Sequence, residues 1–362
     1  MKLTGKNILL ISPEPWDHIF VSKHHYAIHL ARRGNKVFFL NPPGESEGVR
    51  LSGYENVVSV HYAGFPKGLR FYPGPVQRRV MRDRFLRLQG LCDTRFDIVW
   101  SFDNSVFFDF TAFPEDVFTI SHIVDLNQNF QLEKAAATAR ICFATTEQIL
   151  ANLLPANSRS FKINHGFSSH TPDAALSLPG KAEAKVLYAG NLAMPYIDWS
   201  VLHAAVTENS EVDFVFVGPD NPDQTSKNRM KQEVFDASNV HCVGRVPSER
   251  LQEYYRAADV LIISYQERYH SDQANPHKMM EYLGSGKVVV ATFTGEYEAL
   301  NASELIVMSG SNHEFPTKLK QVLANLHHWN ADSKQELRKQ FAQANTYDAQ
   351  LNRIETLIGH NP

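Results

Sequence analysis

The sequence predicts an α/β fold built from two doubly wound, Rossmann-like domains, and three observations carry that expectation. Short apolar runs bounded by turn residues alternate with longer amphipathic stretches, the pattern of repeated βαβ units. The alternation stops once, in a stretch rich in Ser, Ala and Pro, and then restarts. The chain has 362 residues, more than a single core usually supports, so two domains of about 150 to 200 residues are the natural division.

In the first half the strand candidates are NILLIS, KVFFLNP, VVSVHY, FDIVWSF, VFTISHIVD, ICFATT and SFKINHG. In the second they are KVLYAG, DFVFVGP, NVHCVGR, DVLIISY, KVVVATF and ELIVMSG. The expected division is a first domain over 1–168, a linker over 169–184, a second domain over 185–345, and a tail over 346–362 whose helical spacing suits packing back on the first domain. Two such domains are expected to face each other across a cleft, with the carboxyl ends of their strands toward it, because ligands of open α/β sheets bind there.

Composition removes several function classes. A net charge of −3 and a pI near 6.6 leave no global basic field to hold nucleic acid. Cys92, Cys142 and Cys242 include no CxxC pair, which suits reduced, buried thiols and a cytoplasmic location. The apolar run that opens the chain ends at Ser12, too short for a signal-peptide core, and no other run approaches the roughly 20 residues of a membrane span. With no D-x-D, H-x-E or C-x-x-C cluster, no metal site and no cofactor are expected.

The most informative stretch is NPHKMMEYLGSGKVVVAT, Asn275 to Thr292. Pro276 fits a first helical turn, Asn275 is placed as its N-cap, and GSGK ends the helix before a buried strand. Lys278 and Glu281 then share one face near a helix N-terminus, where free N–H groups and the dipole favour a phosphate. Lys278 is expected to hold a pyrophosphate and Glu281 to accept from two ribose hydroxyls. The competing reading is an exposed Lys278–Glu281 ion pair worth a few tenths of a kcal/mol.

This stretch, with NVHCVGRVPSERLQEYYRAADVLIISY, VLYAGNLAMPYIDWSVL and FVFVGPDN, resembles the donor domain of GT-B glycosyltransferases over most of residues 185–300. It is most similar to the family 4-like group and its teichuronic acid biosynthesis-type branch. The resemblance implies that Glu281 is the second acid of an E-x7-E motif whose first position here is Gln273, a neutral amide. It places Asn275 and His277 beside the donor, and Gly190 and Asn191 in a loop where many relatives carry cations for the pyrophosphate. Arg245 reads either as a substitute cation or as a surface arginine, Val246 as a backbone contact for the base, and Tyr265 as a wall of the site or a packed aromatic.

In the first half the resemblance is weaker. It places Trp16, Lys23, His24 and His25 where the acceptor sugar would be met, by stacking and by donors to hydroxyls. It matches His122, at the end of an apolar strand, to a histidine that approaches the donor sugar, with Asp125 as its acidic neighbour. The alternative for both is a satisfied histidine and an N-cap aspartate. INHGF resembles the close of the first domain, with Gly166 allowing the turn.

The segment 65–90 carries Lys67, Arg70, Arg78, Arg79, Arg82, Arg84 and Arg87 against Asp83 alone, with Val76, Val80, Phe85 and Leu88 at roughly helical spacing. It reads either as a peripheral contact with anionic lipid at the inner face of a membrane or as a packed helix with a solvated basic face. The function so implied is transfer of a sugar, with the retention of configuration that family 4-like relatives show, from a nucleotide diphosphate sugar to a saccharide or lipid-linked acceptor in polysaccharide biosynthesis. A catalytically silent nucleotide-sugar binder and a sugar-nucleotide epimerase are the alternatives.

Overall fold

A computed structural model of the chain describes residues 1–18, 20–126, 130–168, 176–225, 227–272 and 275–359. It contains two compact units: Met1–Gly166 together with Tyr347–Pro362, and Phe167–Thr346.

The first unit holds β1 (Asn7–Ile11), β2 (Lys36–Leu40), β3 (Gly48–Leu51), β4 (Val57–His61), β5 (Ile98–Ser101), β6 (Phe118–Ile123), β7 (Ile141–Ala144) and β8 (Ser160–Lys162). They form one sheet in the order β3-β4-β2-β1-β5-β6-β7-β8, parallel except for the antiparallel edge strand β3. Strand residues alternate between faces. Leu9 and Ile11 therefore enter one apolar layer with Met81, Phe85 and Leu88 of the helix Gly74–Leu91. Ile8 and Leu10 enter the other, with Tyr26, Ala27 and Leu30 of the helix Ser22–Arg32 and Leu351, Ile354 and Ile358 of the helix Tyr347–Gly359. Each buried Leu, Ile, Met or Phe side chain among them contributes about 1.5–3 kcal/mol by its burial.

Two expectations change here. The basic helix buries Gln77, Met81, Phe85 and Leu88, while Val76 is exposed. Gln77 occupies the inner face because its amide donates to the carbonyls of Arg70 and Tyr72, so hydropathy alone misphased the helix. Gly166 is needed for close approach and not for a turn: a Cβ there would lie 2.3 Å from the Tyr347 ring.

The second unit holds β9 (Lys185–Ala189), β10 (Asp213–Val217), β11 (Val240–Gly244), β12 (Val260–Ile263), β13 (Val288–Ala291) and β14 (Val307–Met308). The sheet order is β11-β10-β9-β12-β13-β14, with every pair parallel. Val186, Val260 and Val288 pack with the helices Trp199–Glu208 and Phe315–Leu323. Leu187, Leu261 and Val289 pack with Tyr255, Met279, Tyr282 and Leu283 on the opposite face. The two Rossmann-like sheets are the expected fold class.

The expected linker is corrected over its described part. Leu178 is buried in the second unit's core, and the Asp213 carboxylate accepts from Ala182 N at 2.7 Å, so 176–184 is packed structure. Residues 169–175 lie outside the described residues. The tail helix Tyr347–Gly359 belongs to the first unit, and the helix before it, Asp332–Gln343, to the second. Cys92 and Cys142 are buried, but Cys242 is exposed on the edge strand β11. Among the described residues no helix is long and apolar enough to cross a membrane.

Candidate active site

In the second unit the strand order reverses between β9 and β12, and an open parallel sheet receives its ligand outside the carboxyl ends of the strands at such a point. These two strands pair only through Val186↔Val260 and Leu187↔Leu261, and no pairing continues toward their carboxyl ends. Gly190 follows β9 and Gly218 follows β10, with φ of +145° and +143°. A Cβ on Gly218 would lie 1.8 Å from the Gly190 carbonyl oxygen, so only glycine permits this approach. A Cβ on Gly190 would lie 2.8 Å from Lys278 Nζ, so the bare backbone makes room for the amine.

Lys278 opens the helix Lys278–Ser285. Its Nζ stands 4.0 Å from the centre of the Tyr188 ring and 5.7 Å from that of Tyr265. Cation–π attraction of about 0.5–2 kcal/mol holds it there. Among the described residues no carboxylate lies within 4 Å of it, and the exposed ion pair with Glu281 does not form. Burial lowers the Lys278 amine to about 7, against the upward pull of Glu281.

Glu281 is fixed by a different partner. Its Oε2 accepts from the Tyr255 hydroxyl at 3.0 Å, and its Oε1 lies 3.8 Å from His277 Nδ1. Burial and the Glu281 charge push the Tyr255 phenol well above its ordinary range, so it remains a donor. The helix therefore presents an unpaired amine and an oriented carboxylate one turn apart.

The start of this helix differs from expectation. His277 is the N-cap residue, and Asn275 lies before it, where its Oδ1 accepts from the buried Tyr297 hydroxyl at 2.5 Å. Gly286, at φ +87°, ends the helix as expected. Asn191 closes its own loop, accepting from Ala193 N at 3.0 Å. Tyr265 is buried, with its ring 4.9 Å edge-on to that of Tyr196, as the packed-aromatic reading expects. Gln273 lies outside the described residues. Arg245 is exposed after β11, two strand spacings or about 10 Å from β9, and Val246 packs beside the core.

Sequence reasoning missed Tyr188, Tyr255 and Gly218. It also missed Lys231, which is buried, donates to the Leu192 carbonyl at 2.8 Å and pairs with Asp220. The two tyrosines sit in a strand and a helix whose apolar spacing explains them fully, so nothing local singles them out.

In the first unit the expected acceptor residues are largely committed to one another. The Trp16 indole donates to the Ser52 carbonyl at 3.0 Å, and its ring packs against Phe20, Phe39 and Tyr54, so it offers no open stacking face. Lys23, 3% exposed, pairs with Glu14 at 2.7 Å. His24 is buried and lowered to about 4 by burial. The neutral ring accepts from Val21 N–H at Nδ1, 3.2 Å, and donates from Nε2 to the Pro15 carbonyl, 3.0 Å. His25 is half-buried and stacks on Tyr347 at 5.0 Å.

His122 is 1% exposed, with ring centres of Phe102, Tyr26, Phe143 and Trp100 at 4.7 to 6.1 Å. Burial lowers it to about 3, so it is neutral at physiological pH, and its Nδ1 is buried with no hydrogen-bond partner. The expectation of an imidazole presented to substrate is corrected to a ring enclosed in an aromatic layer. Asp125 is half-buried in the turn after β6. Among the described residues no three His, Cys, Asp or Glu side chains are grouped to hold a metal ion.

Residues 183–325 match the family described as Glycosyl transferases group 1. TuaH of Bacillus subtilis (strain 168), named for glycosyl transfer in teichuronic acid biosynthesis, is 26% identical over 125 residues. That match covers 34% of this chain, and the chain spans only 30% of the relative's length. Sucrose-phosphate synthase (tll1590) from Thermosynechococcus elongatus superposes with a TM-score of 0.71 at 13% identity, covering 98% of both chains. Anabaena Alr3699/HepE, solved in complex with UDP and glucose, gives 0.66 at 14% identity over 98% of this chain and 100% of that one. The fold is GT-B, and over residues 183–325 the chain is similar to the glycosyl transferases of group 1.

Proposed function

We propose that the chain is a glycosyltransferase that moves a hexosyl group from a nucleotide diphosphate sugar to a hydroxyl of a saccharide or lipid-linked acceptor, with retention, in polysaccharide biosynthesis. The observation that carries this reading is the unpaired Lys278 amine lying against Gly190 at the strand-order reversal, with Glu281 oriented one turn away by Tyr255. The diphosphate supplies the counter-charge that the amine lacks, and Glu281 accepts from the ribose hydroxyls.

The chemistry follows from where charge develops. As the glycosidic bond to the diphosphate breaks, the leaving group gains negative charge and the sugar becomes oxocarbenium-like. Lys278 and the N–H groups at the start of its helix stabilise the leaving diphosphate. This reading assigns that role to no metal ion. Asp125 is the acidic group that the first unit offers near the end of β6. A peripheral contact with anionic membrane is supported by Lys67, Arg79 and Arg82, which make no ion pair among the described residues, and by the exposed Phe71 and Tyr72.

A thermal-shift screen over nucleotide sugars tests the donor assignment, because a ligand at a hundred times its dissociation constant stabilises by about 2.7 kcal/mol. The hit is then incubated with saccharide acceptors. Stabilisation followed by acceptor-dependent release of nucleoside diphosphate supports the proposal. Binding without turnover indicates a silent binder, and an altered sugar nucleotide formed without acceptor indicates an epimerase.

A further inference from the structure

The first unit has a second concave feature that the donor chemistry does not use. A cavity of about 410 Å³ lies beyond the carboxyl ends of β2, β4 and β5 and is lined by Pro43, Phe65, Leu69, Arg70, Val106 and Phe108, among others. That volume falls within the range of small-molecule sites. Leu69, Val106 and Phe108 are buried, and the lining is apolar except at Arg70 and Ser105.

Arg70 is built into the wall in an unusual way. Its guanidinium sits 4.7 Å from the centre of the Phe71 ring and 4.8 Å from that of Phe130, and both rings line the same cavity. Phe71 is 77% exposed. The turn Leu69–Phe71 that carries them is not loose. Gln77 Nε2 donates to the Arg70 and Tyr72 carbonyls at 2.9 Å each, and Lys134 in turn donates to Gln77 Oε1 at 2.5 Å.

Charge separates Arg70 from its neighbours. Arg84 and Arg87 share Glu47, Lys134 pairs with Asp109 at 3.2 Å, and Arg78 lies 3.8 Å from the same carboxylate. Among the described residues, Arg70 has no carboxylate within 4 Å. An apolar cavity with a fixed, stacked and unpaired guanidinium is complementary to a hydrocarbon chain that ends in an anion. A phosphate suits the planar donors of arginine better than it suits a lysine.

We propose that this cavity binds a single-chain lipid phosphate, with the chain on Leu69, Val106 and Phe108 and the phosphate on Arg70. The inference rests on the acceptor part of the function proposed above and narrows it to the lipid portion of a lipid-linked acceptor.

The test titrates decyl phosphate, below its micelle concentration, into the full chain with no nucleotide sugar present. The expected result is saturable one-to-one binding that Arg70→Gln and, separately, Phe71→Ser each weaken by about tenfold or more. Both residues are exposed, so the variants should fold, and unchanged circular dichroism confirms it. Inorganic phosphate should not compete, and decyltrimethylammonium, with the same chain and the opposite charge, should not bind saturably. Equal binding of the two amphiphiles, or unchanged affinity in Arg70→Gln, overturns the proposal. So does retained decyl phosphate binding in both variants alongside lost binding to anionic vesicles, which would make the patch a membrane surface. Because no donor is present, the outcome is independent of the nucleotide-sugar reading, and failure of the thermal-shift screen leaves it standing.

Discussion

Lys23 and Lys278 both lie in the first turn of a helix that packs on a sheet, yet they have opposite surroundings. Lys23 meets Glu14, from the loop after β1, at 2.7 Å. Lys278 meets the backbone of Gly190, from the loop after β9, and has no carboxylate within 4 Å among the described residues. One loop supplies a counter-charge and the other supplies space. A half-buried cation without a partner costs stability, and such costs are tolerated where a ligand completes the arrangement. Lysine at a helix start is therefore a weak signal by itself, and the residue facing it across the sheet's edge decides its meaning.

The comparison can be broken most forcefully at Glu281. Glu281→Ala should weaken nucleoside diphosphate binding by about a hundredfold, since two hydrogen bonds to a charged acceptor are worth about 1.5–3 kcal/mol each. Titration calorimetry on the folded variant reads this directly, and unchanged affinity removes the ribose assignment.

Lys23→Met sharpens the contrast from the other side. Breaking a buried pair strands its partner, but Glu14 retains enough exposure to rehydrate, so the loss of stability should be about 2 kcal/mol in urea unfolding. Nucleoside diphosphate affinity should not change. A variant as stable as the parent would show that the pair is ornamental.

Asp213 provides a paired reference within the second unit. Burial disfavours its charge, but Lys185, His241 and the Ala182 N–H outweigh burial and hold it down to about 2. A carboxylate lowered on folding stabilises above its unfolded pKa of about 4, and the contribution disappears as pH falls toward 2. Asp213→Asn should therefore cost about 1–2 kcal/mol at pH 6 and close to nothing near pH 2. A cost that does not vary with pH contradicts the ion-pair account.

An effect of the opposite sign is expected for the stability of Lys278→Met. The amine is lowered to about 7 in the folded chain, so the unfolded state binds more protons between that value and the ordinary lysine range. Parent stability should rise with pH across that window. Lys278→Met should flatten this dependence and leave stability at pH 7 equal to or above that of the parent.

The legible parts of the molecule are those whose signal is local. Strands such as β1, β2, β12 and β13 are buried on both faces and read as continuous apolar runs. β3 was missed because it is an exposed edge strand with no apolar run, and its Leu51 is 94% exposed. Lys278 and Glu281 were legible because the three-residue spacing, the proline and the glycine stop lie in one stretch. Their partners Tyr188 and Tyr255 lie far away in sequence, and only folding brings them together. Trp16 and His24 mark the opposite limit. Their residue types suit a sugar site, but an indole that donates to Ser52 and a ring using both nitrogens internally cannot be told from open ligands without the fold.

The central claim is that Lys278 is the cation of a diphosphate site, and its most direct test compares dissociation constants for a nucleoside, its monophosphate and its diphosphate on the parent and on Lys278→Ala. The account predicts nearly unchanged nucleoside binding, a larger loss for the monophosphate and the largest for the diphosphate, partly recovered in Lys278→Arg, where charge is kept but shape and reach differ. A loss of equal size for all three ligands, or no loss for any, would contradict it.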